Sequence, residues 1–449
     1  MNDAPALPPI ETAPRYTSYP TAPHFHSSVG PQTLAAWIAA IPPVDEVSLY
    51  LHIPYCDQLC WFCACNTKHT TRYHVVETYL ASLKAEIAAV AARLPKRVRV
   101  SSVHYGGGSP TILTPDDLTD LDRALRGAFT LTDDAEVSIE IDPRDMDEGR
   151  YDALARIGAT RASIGVQDFD TRVQAAINRH QSFAMTREAV VACRARGIAS
   201  VNLDLVYGLP LQTVTSVSAT VAEALTLKPD RIALFGYAHV PWFKKHQTQI
   251  RPEWLPGPED RLDQSAAART LILGEAYDPV GLDHFALPPD SLSLAARTGR
   301  LRRNFQGYTA DRATTLIGLG ASSVSQFPQG YAQNATAAAV YERMIGAGTL
   351  ATARGIALTD DDRVRGWIIE RLMCDFGFST RDALGQFGAA AKSVLTEAER
   401  IAAAEGGTRC LWNDGAFRIT AAGRPFVRQI AARFDAYLRD GPARHSLAV

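Results

Sequence analysis

Four thiols crowd one short segment. Cys56, Cys60, Cys63 and Cys65 fall within ten residues, in PYCDQLCWFCACN, while Cys193, Cys374 and Cys410 are scattered along a chain of 449. Thiolates are soft ligands that favour zinc or iron–sulfur clusters. A disulfide framework belongs to small secreted chains and spreads its cysteines. Crowded thiols in a long chain read instead as cytosolic and metal-binding, and the scattered three as buried thiols without chemistry. The C-x3-C-x2-C spacing, with Cys65 two residues on, leaves three outcomes open. Structural zinc takes two separated ligand pairs, and no second Cys/His pair follows at suitable spacing. An electron-carrier cluster takes four cysteines. A cluster held by three leaves one iron open to a substrate or cofactor. Cys65 is then either a thiol beside the cluster or a fourth ligand that closes it.

These thiols need a frame. From Val47 onward, β-rich runs alternate with amphipathic helices. Strands are predicted at 47–54, 98–107, 136–143, 161–167, 200–210 and 231–240. Helices are predicted at 73–94, 115–129, 146–157, 185–196 and 213–227. Such alternation builds a parallel sheet of right-handed βα units. No dinucleotide fingerprint opens the first helix, which favours a full or partial (β/α) barrel. The predicted class is therefore α/β. A helix at 33–41 closes a proline-rich N-terminal extension (1–45), and the barrel domain spans 46–335 with one more strand near 316–320. A mostly helical C-terminal domain (336–449) carries helices near 361–373, 388–405 and 425–438. Its LWNDGAFRIT segment predicts a hairpin turning at Asp-Gly. This tail reads as a packing module or lid without chemistry of its own.

The cysteine segment directly follows the first strand, which places it at the strand's C-terminal end, where barrel enzymes keep their chemistry. Polar groups should gather at the other strand ends, and they do. The second strand runs into Gly106-Gly107-Gly108-Ser109-Pro110, where glycines let backbone approach a ligand. The third carries Glu140 and Asp142 between Ile139 and Ile141, and buried carboxylates need partners such as a hydroxyl or an amine. The fourth ends in Gln167, followed by Arg179. The fifth carries Asp204, and the sixth runs into Tyr237, Ala238 and His239. One such residue alone reads as a satisfied structural group; a set of them marks a site.

Composition narrows the function classes. Hydrophobic residues make up 46% and charged residues 21%, enough apolar material for a core and too little charge for a disordered chain. Lys plus Arg number 46 against 48 Asp plus Glu, a net charge of −2 that gives no support for nucleic-acid binding through bulk charge. No apolar run reaches the ~20 residues that span a bilayer. The start, MNDAPALPPIETAP, lacks the basic and apolar regions of a secretory signal.

The C-x3-C-x2-C spacing, with Phe62 before the third cysteine, resembles the radical S-adenosylmethionine superfamily. RYTSYPTAPHF (15–25), YLHIPYC (50–56), GGGSPT (106–111), EIDPRD (140–145), SIGVQDF (163–169), NLDLVYGLP (202–210), DHFALPPDSL (283–292) and RNFQGYT (303–309) together resemble the oxygen-independent coproporphyrinogen III oxidase family. The likeness runs from about residue 15 to about residue 335. RYTSYPTA and RNFQGYT discriminate best, because haem-chaperone relatives lack the N-terminal extension carrying the former. The resemblance implies a cytoplasmic enzyme of haem biosynthesis that oxidatively decarboxylates the ring A and B propionates of coproporphyrinogen III to vinyls, giving protoporphyrinogen IX. It implies a [4Fe-4S] cluster on Cys56, Cys60 and Cys63, with S-adenosylmethionine on the open iron. Tyr50, Gly107, Glu140 and Val324 would line that molecule. Phe62, Gly108, Ser109, Gln167, Arg179, Asp204 and Ala238 would line a second, with Gln306 a further active-site residue. Ser109 stands where Thr is common, and keeps the hydroxyl.

The implied chemistry is one-electron cleavage of the sulfonium, hydrogen abstraction from a propionate β-carbon, and loss of CO2 with a further electron. It needs no nucleophile triad, and a separate electron donor and final acceptor. A tetracarboxylate substrate calls for cations at the mouth, for which Arg15, Lys68, Arg302 and Arg303 are candidates against a surface role. Tyr16 and Tyr19 are expected to fold over the site, and the chain is expected to be a monomer. The alternatives are a haem-binding chaperone of this fold using His24, His26 or His52, another radical enzyme, and a structural zinc protein.

Overall fold

A computed structural model describes residues 13–440. The first twelve residues, most of the proline-rich start, lie outside the described residues, as do 441–449. The large sheet contains β1 (Glu46–Ile53), β2 (Arg99–Gly107), β3 (Leu131–Ile141), β4 (Arg161–Gln167), β5 (Ser200–Tyr207) and β6 (Arg231–Gly236). It continues with β7 (Asp278–Val280), β8 (His284–Ala286), β9 (Thr315–Leu319), β10 (Val324–Phe327), β11 (Gly330–Asn334) and β12 (Thr352–Ala357). The strand order is β12-β11-β10-β9-β1-β2-β3-β4-β5-β6-β8-β7. β9 and β1 to β6 run parallel, and the outer strands antiparallel. The two end strands do not pair, so the sheet is a partial barrel.

Because the central strands are parallel, their C-terminal ends share one edge. Helices Tyr73–Ala91, Pro115–Ala128, Glu148–Arg156, Phe183–Ala195 and Val214–Thr226 return the chain between strands. β1 is buried on both faces, as a helix-covered parallel strand must be. Helix starts are fixed locally: Thr114 Oγ1 accepts from Asp117 N at 3.2 Å, and Ser182 Oγ from Met185 N at 3.1 Å.

Several boundaries differ from the sequence expectation. β3 ends at Ile141 because Asp142 caps a tight turn, accepting from Arg144 N. β5 stops at Tyr207, before Gly208 at φ +80° and Pro210. The sheet continues through β11 and β12 to Ala357, so a boundary at 335 falls between two paired strands. The helix expected at 425–438 is broken into Arg424–Phe426, Val427–Ala432 and Ala436–Asp440. The hairpin is present, turning at Asp414 and Gly415, both at positive φ, and Gly377–Ser379 adds a third strand.

Two main apolar cores result. One wraps the sheet and its helices. The other lies in the C-terminal region, where Ile368, Leu372, Phe417 and Phe434 pack with Tyr16 and Tyr19 of the N-terminal segment. Among the described residues no helix is long and apolar enough to cross a membrane.

Candidate active site

The thiol loop leaves β1 at Ile53 and folds back on itself. Tyr55–Cys56 pairs with Lys68–His69, and Thr70 N donates to Cys56 O at 2.9 Å. Distant residues pin the loop between. Asn178 Nδ2 donates to Leu59 O at 2.9 Å, Gln247 Nε2 to Phe62 O at 2.9 Å and Lys244 Nζ to Cys65 O at 2.8 Å. The His246 ring meets Cys63 O at 2.7 Å. All four cysteines are free and line one open cavity of about 850 Å³. Cys60 is buried, Cys56 and Cys63 half-buried, and Cys65 exposed.

Donors converge on the sulfurs. Arg144 Nη2 lies 3.4 Å and Arg179 Nη1 3.5 Å from Cys60 Sγ, and Cys65 N donates to Cys63 Sγ at 3.4 Å. Cys56 Sγ meets Thr67 Oγ1 at 3.1 Å. Burial pushes the Cys56 thiol up to about 12, against the Thr67 contact, and a bound metal reverses that logic. The Arg144 and Arg179 donors beside Cys60 suit a sulfur that ligates iron. The loop therefore fits an iron–sulfur cluster on Cys56, Cys60 and Cys63. Among the described residues no group of three or more His, Cys, Asp or Glu is gathered for a single metal ion.

The strand ends supply the opposite wall. Sheet register puts Tyr50 beside His104, Glu140 beside Ser163, and Gly165 beside Asp204. Glu140 accepts from Gly107 N at 3.1 Å and meets the His104 ring at 3.2 Å, so its carboxylate is fixed in place. Gly107 is at φ +124°, a conformation for glycine, and an added Cβ would lie 2.9 Å from the His52 ring. Gly108 packs tighter still: a Cβ there would lie 2.6 Å from Thr67 Oγ1 and 2.7 Å from Tyr55 O. Gln167 adopts φ +70° at a register shift between β4 and β5. Asp142 links two arginines, 2.6 Å from Arg144 and 3.0 Å from Arg179. Burial alone would raise this carboxylate; the two guanidiniums outweigh it and hold it at about 2. Asp204 bonds Ser163 and Asn202, and burial with Glu140 nearby raises it above the ordinary carboxylate range.

Phe62, Gly107, Gly108, Ser109, Glu140, Gln167, Arg179 and Asp204 line the thiol cavity. Ser109 spends its hydroxyl on Asp145, at 3.0 Å. Tyr50, Gln306 and Val324 line an adjoining cavity of about 1280 Å³ that shares Cys65, Gly107 and Glu140 with the first. Ala238 does not line the thiol cavity; its carbonyl accepts from Gln247 Nε2, which also holds Phe62 O. Lys68 lies outside both cavities, and Arg302 pairs with Glu370 at 3.2 Å. Tyr16 and Tyr19 do not fold over the thiols: both are buried in the C-terminal core, Tyr16 donating to Asp435 at 3.0 Å. Each tyrosine is 4% exposed there; Arg15 and Thr17 beside them do line a cavity near the loop. Of the histidines considered for haem, His52 has both ring nitrogens engaged, by Tyr50 and Asn66 O.

Sequence reading missed Asn178, Lys244, His246 and Gln247, whose types carry no local signal. It also missed Arg144 and His104. Asp-Pro-Arg at 142–144 held the one readable clue, an aspartate capping its own turn.

The Radical SAM superfamily pattern matches residues 50–223. The chain is 49% identical over 424 residues to the oxygen-independent coproporphyrinogen III oxidase of Paracoccus denitrificans, with 94% of each chain covered. It is 45% identical over 446 residues to the protein of that name from Bradyrhizobium diazoefficiens, covering 98% of each. The Escherichia coli protein of that name is 38% identical over 430 residues, covering 95% of this chain and 93% of that one. A solved structure, described as coproporphyrinogen III oxidase (HemN) from Escherichia coli and a radical SAM enzyme, matches with a TM-score of 0.90 at 37% identity. That match covers 94% of this chain and 97% of the other.

Proposed function

The chain belongs to the oxygen-independent coproporphyrinogen III oxidase family, within the radical S-adenosylmethionine superfamily, and we propose that it decarboxylates the ring A and B propionates of coproporphyrinogen III to vinyls, giving protoporphyrinogen IX. One observation carries the reading: the thiol loop and the fixed Glu140 carboxylate line one cavity. When bound, the [4Fe-4S] cluster and S-adenosylmethionine supply one-electron chemistry that ends in hydrogen abstraction from carbon. Cys56, Cys60 and Cys63 hold the cluster, and Cys65 stays outside it. Arg144 and Arg179 set charge beside Cys60. Glu140, fixed by His104 and Gly107 N, offers a carboxylate to the methionyl amine, with Tyr50, Gly107 and Val324 around it. Phe62, Gly108, Ser109, Gln167, Arg179, Asp204 and Ala238 form the pocket for a second S-adenosylmethionine; the lining of the thiol cavity supports all of these but Ala238. Gln306 borders the substrate side.

The chain is organised as an extension (1–45), a barrel domain from residue 46, and a helical C-terminal domain; the sheet favours a second boundary after Ala357. The enzyme works in the cytoplasm as a monomer, with a separate electron donor and final acceptor. Anaerobic reconstitution followed by assay of 5′-deoxyadenosine and vinyl product tests the proposal. Both products should form, and Cys56→Ser, Cys60→Ser or Cys63→Ser should abolish both. Reconstituted protein that binds iron and S-adenosylmethionine yet leaves coproporphyrinogen III intact would overturn the substrate assignment.

A further inference from the structure

A third cavity, of about 1330 Å³, borders the thiol loop at Cys65. Among the described residues, Arg15, Arg269, Arg303 and Arg428 line it, with Asp283 as the single carboxylate. The rest of its wall is largely apolar, with Phe235, Phe285 and Phe305 among the lining side chains. The arginines are set in place. Arg15 Nη2 donates to Gly236 O at 2.6 Å, and Arg303 Nη2 to Arg15 O at 3.3 Å. The Arg303 guanidinium lies 4.5 Å from the Tyr308 ring centre, and Nη1 is buried with no hydrogen-bond acceptor among the described residues.

Among the described residues that line this cavity, the guanidiniums outnumber the carboxylates. Asp283 shares a hydrogen bond with the His284 ring at 2.8 Å. Burial alone would raise this carboxylate; that contact together with the Arg303 and Arg15 cations outweighs it and holds Asp283 at about 2, one carboxylate facing several guanidiniums. Arg428 is 8% exposed, and burial with the Arg15 cation nearby lowers it to about 10, so it stays cationic at neutral pH. Gathering buried cations costs free energy that an anionic ligand recovers. An apolar wall with a cationic corner fits an apolar body carrying carboxylates, and guanidinium forks suit carboxylates geometrically. The cavity also shares Cys65, Phe305 and Gln306 with the cavity that holds Tyr50 and Glu140. A ligand anchored at the arginines therefore reaches the reactive end.

We propose that Arg303 and Arg428, with Arg15, anchor the carboxylates of the tetrapyrrole that the reaction leaves untouched. This rests on the functional reading above. It assigns the arginines to binding, so they should act on substrate and product affinity rather than on S-adenosylmethionine.

The test titrates anaerobically purified full-length protein with coproporphyrin III, the oxidised and unreactive tetra-acid, and with its tetramethyl ester, following absorbance. The wild type should prefer the acid. Arg303→Gln and Arg428→Gln should each weaken acid binding by roughly thirtyfold or more, the range for removing one partner of a desolvated charge pair. Ester affinity and S-adenosylmethionine affinity should not move. Folded variants that bind the acid as the wild type does would overturn the anchor. Should a Gln variant unfold, the wild type decides: acid binding no tighter than ester binding overturns it as well. Wild-type protein that turns over coproporphyrinogen III normally while failing these tests refutes the anchor alone. Wild-type protein with no turnover and no porphyrin binding refutes the functional reading, and the anchor with it.

Discussion

Asp142→Asn is the sharpest perturbation of the site's scaffold. The carboxylate sits between Arg144 and Arg179, at 2.6 Å and 3.0 Å, with side-chain exposures of 14%, 6% and 6%. Held at about 2 against an ordinary 3.8, it is favoured in its charged form by about 2.4 kcal/mol at neutral pH, taking about 1.4 kcal/mol per tenfold. Asparagine keeps the shape and removes the charge. Two guanidiniums then face each other beside Cys60 without their counter-ion, and breaking a buried pair this way costs about 3–5 kcal/mol. The expected loss is therefore about 2–5 kcal/mol. It is read from urea unfolding under anaerobic conditions, with iron content measured in parallel. The pH behaviour follows from the sign. A carboxylate lowered on folding contributes stability above its unfolded value of 3.8, and that contribution is lost as pH falls through about 2. Asp142's own contribution is complete above about pH 5. Asp145, raised to about 7 by burial and by the Asp142 charge, titrates within the neutral range, so the difference between wild type and variant should shrink as pH rises towards 7 and level off above it. A loss below about 1 kcal/mol with iron content intact would refute the idea that this triad holds the loop's surroundings together.

Gly108→Ala would place a Cβ 2.6 Å from Thr67 Oγ1 and 2.7 Å from Tyr55 O, so the thiol loop must move. Overpacking of this kind costs about 1–3 kcal/mol, and iron incorporation should fall with it; a variant that loads iron like the wild type contradicts the close approach. Tyr16→Phe removes the buried hydrogen bond to Asp435 that ties the N-terminal segment to the C-terminal core. Thermal unfolding should show a loss of about 1–2 kcal/mol, and an unchanged melting temperature would show that the contact contributes nothing. Cys65→Ser should keep iron content near the wild-type level, because the proposed ligands are Cys56, Cys60 and Cys63; complete loss of iron would make it a ligand.

Much of this was legible in order along the chain. The six central strands follow from β-rich runs alternating with helical periodicity, and the parallel arrangement then puts every strand end on one edge. That edge brings Glu140, Gln167 and Asp204 to the cavity of Cys56, Cys60 and Cys63, although they are far apart in sequence. Strand ends were less legible. Tyr207 and Gly236 close strands whose apolar runs continue, because a turn glycine and local hydrogen bonding decide the boundary. The residues that brace the loop were not legible at all. Asn178, Lys244 and Gln247 act by reaching loop carbonyls across more than a hundred residues of sequence, and their types are ordinary on any surface. Arg428 faces the same difficulty, since only docking of the C-terminal region brings it beside Arg15 and Arg303. Tyr16 and Tyr19 read as lid residues from their place near the discriminating motif, yet burial in an apolar core outweighs that position.

The central claim is that three thiolates hold the cluster and one iron stays open for S-adenosylmethionine. The most direct measurement is a Mössbauer spectrum of protein reconstituted with iron-57, recorded with and without S-adenosylmethionine. One iron in four should change its signal on addition, in the wild type and in Cys65→Ser alike. Four irons that keep all-sulfur signatures after the addition would contradict the open site.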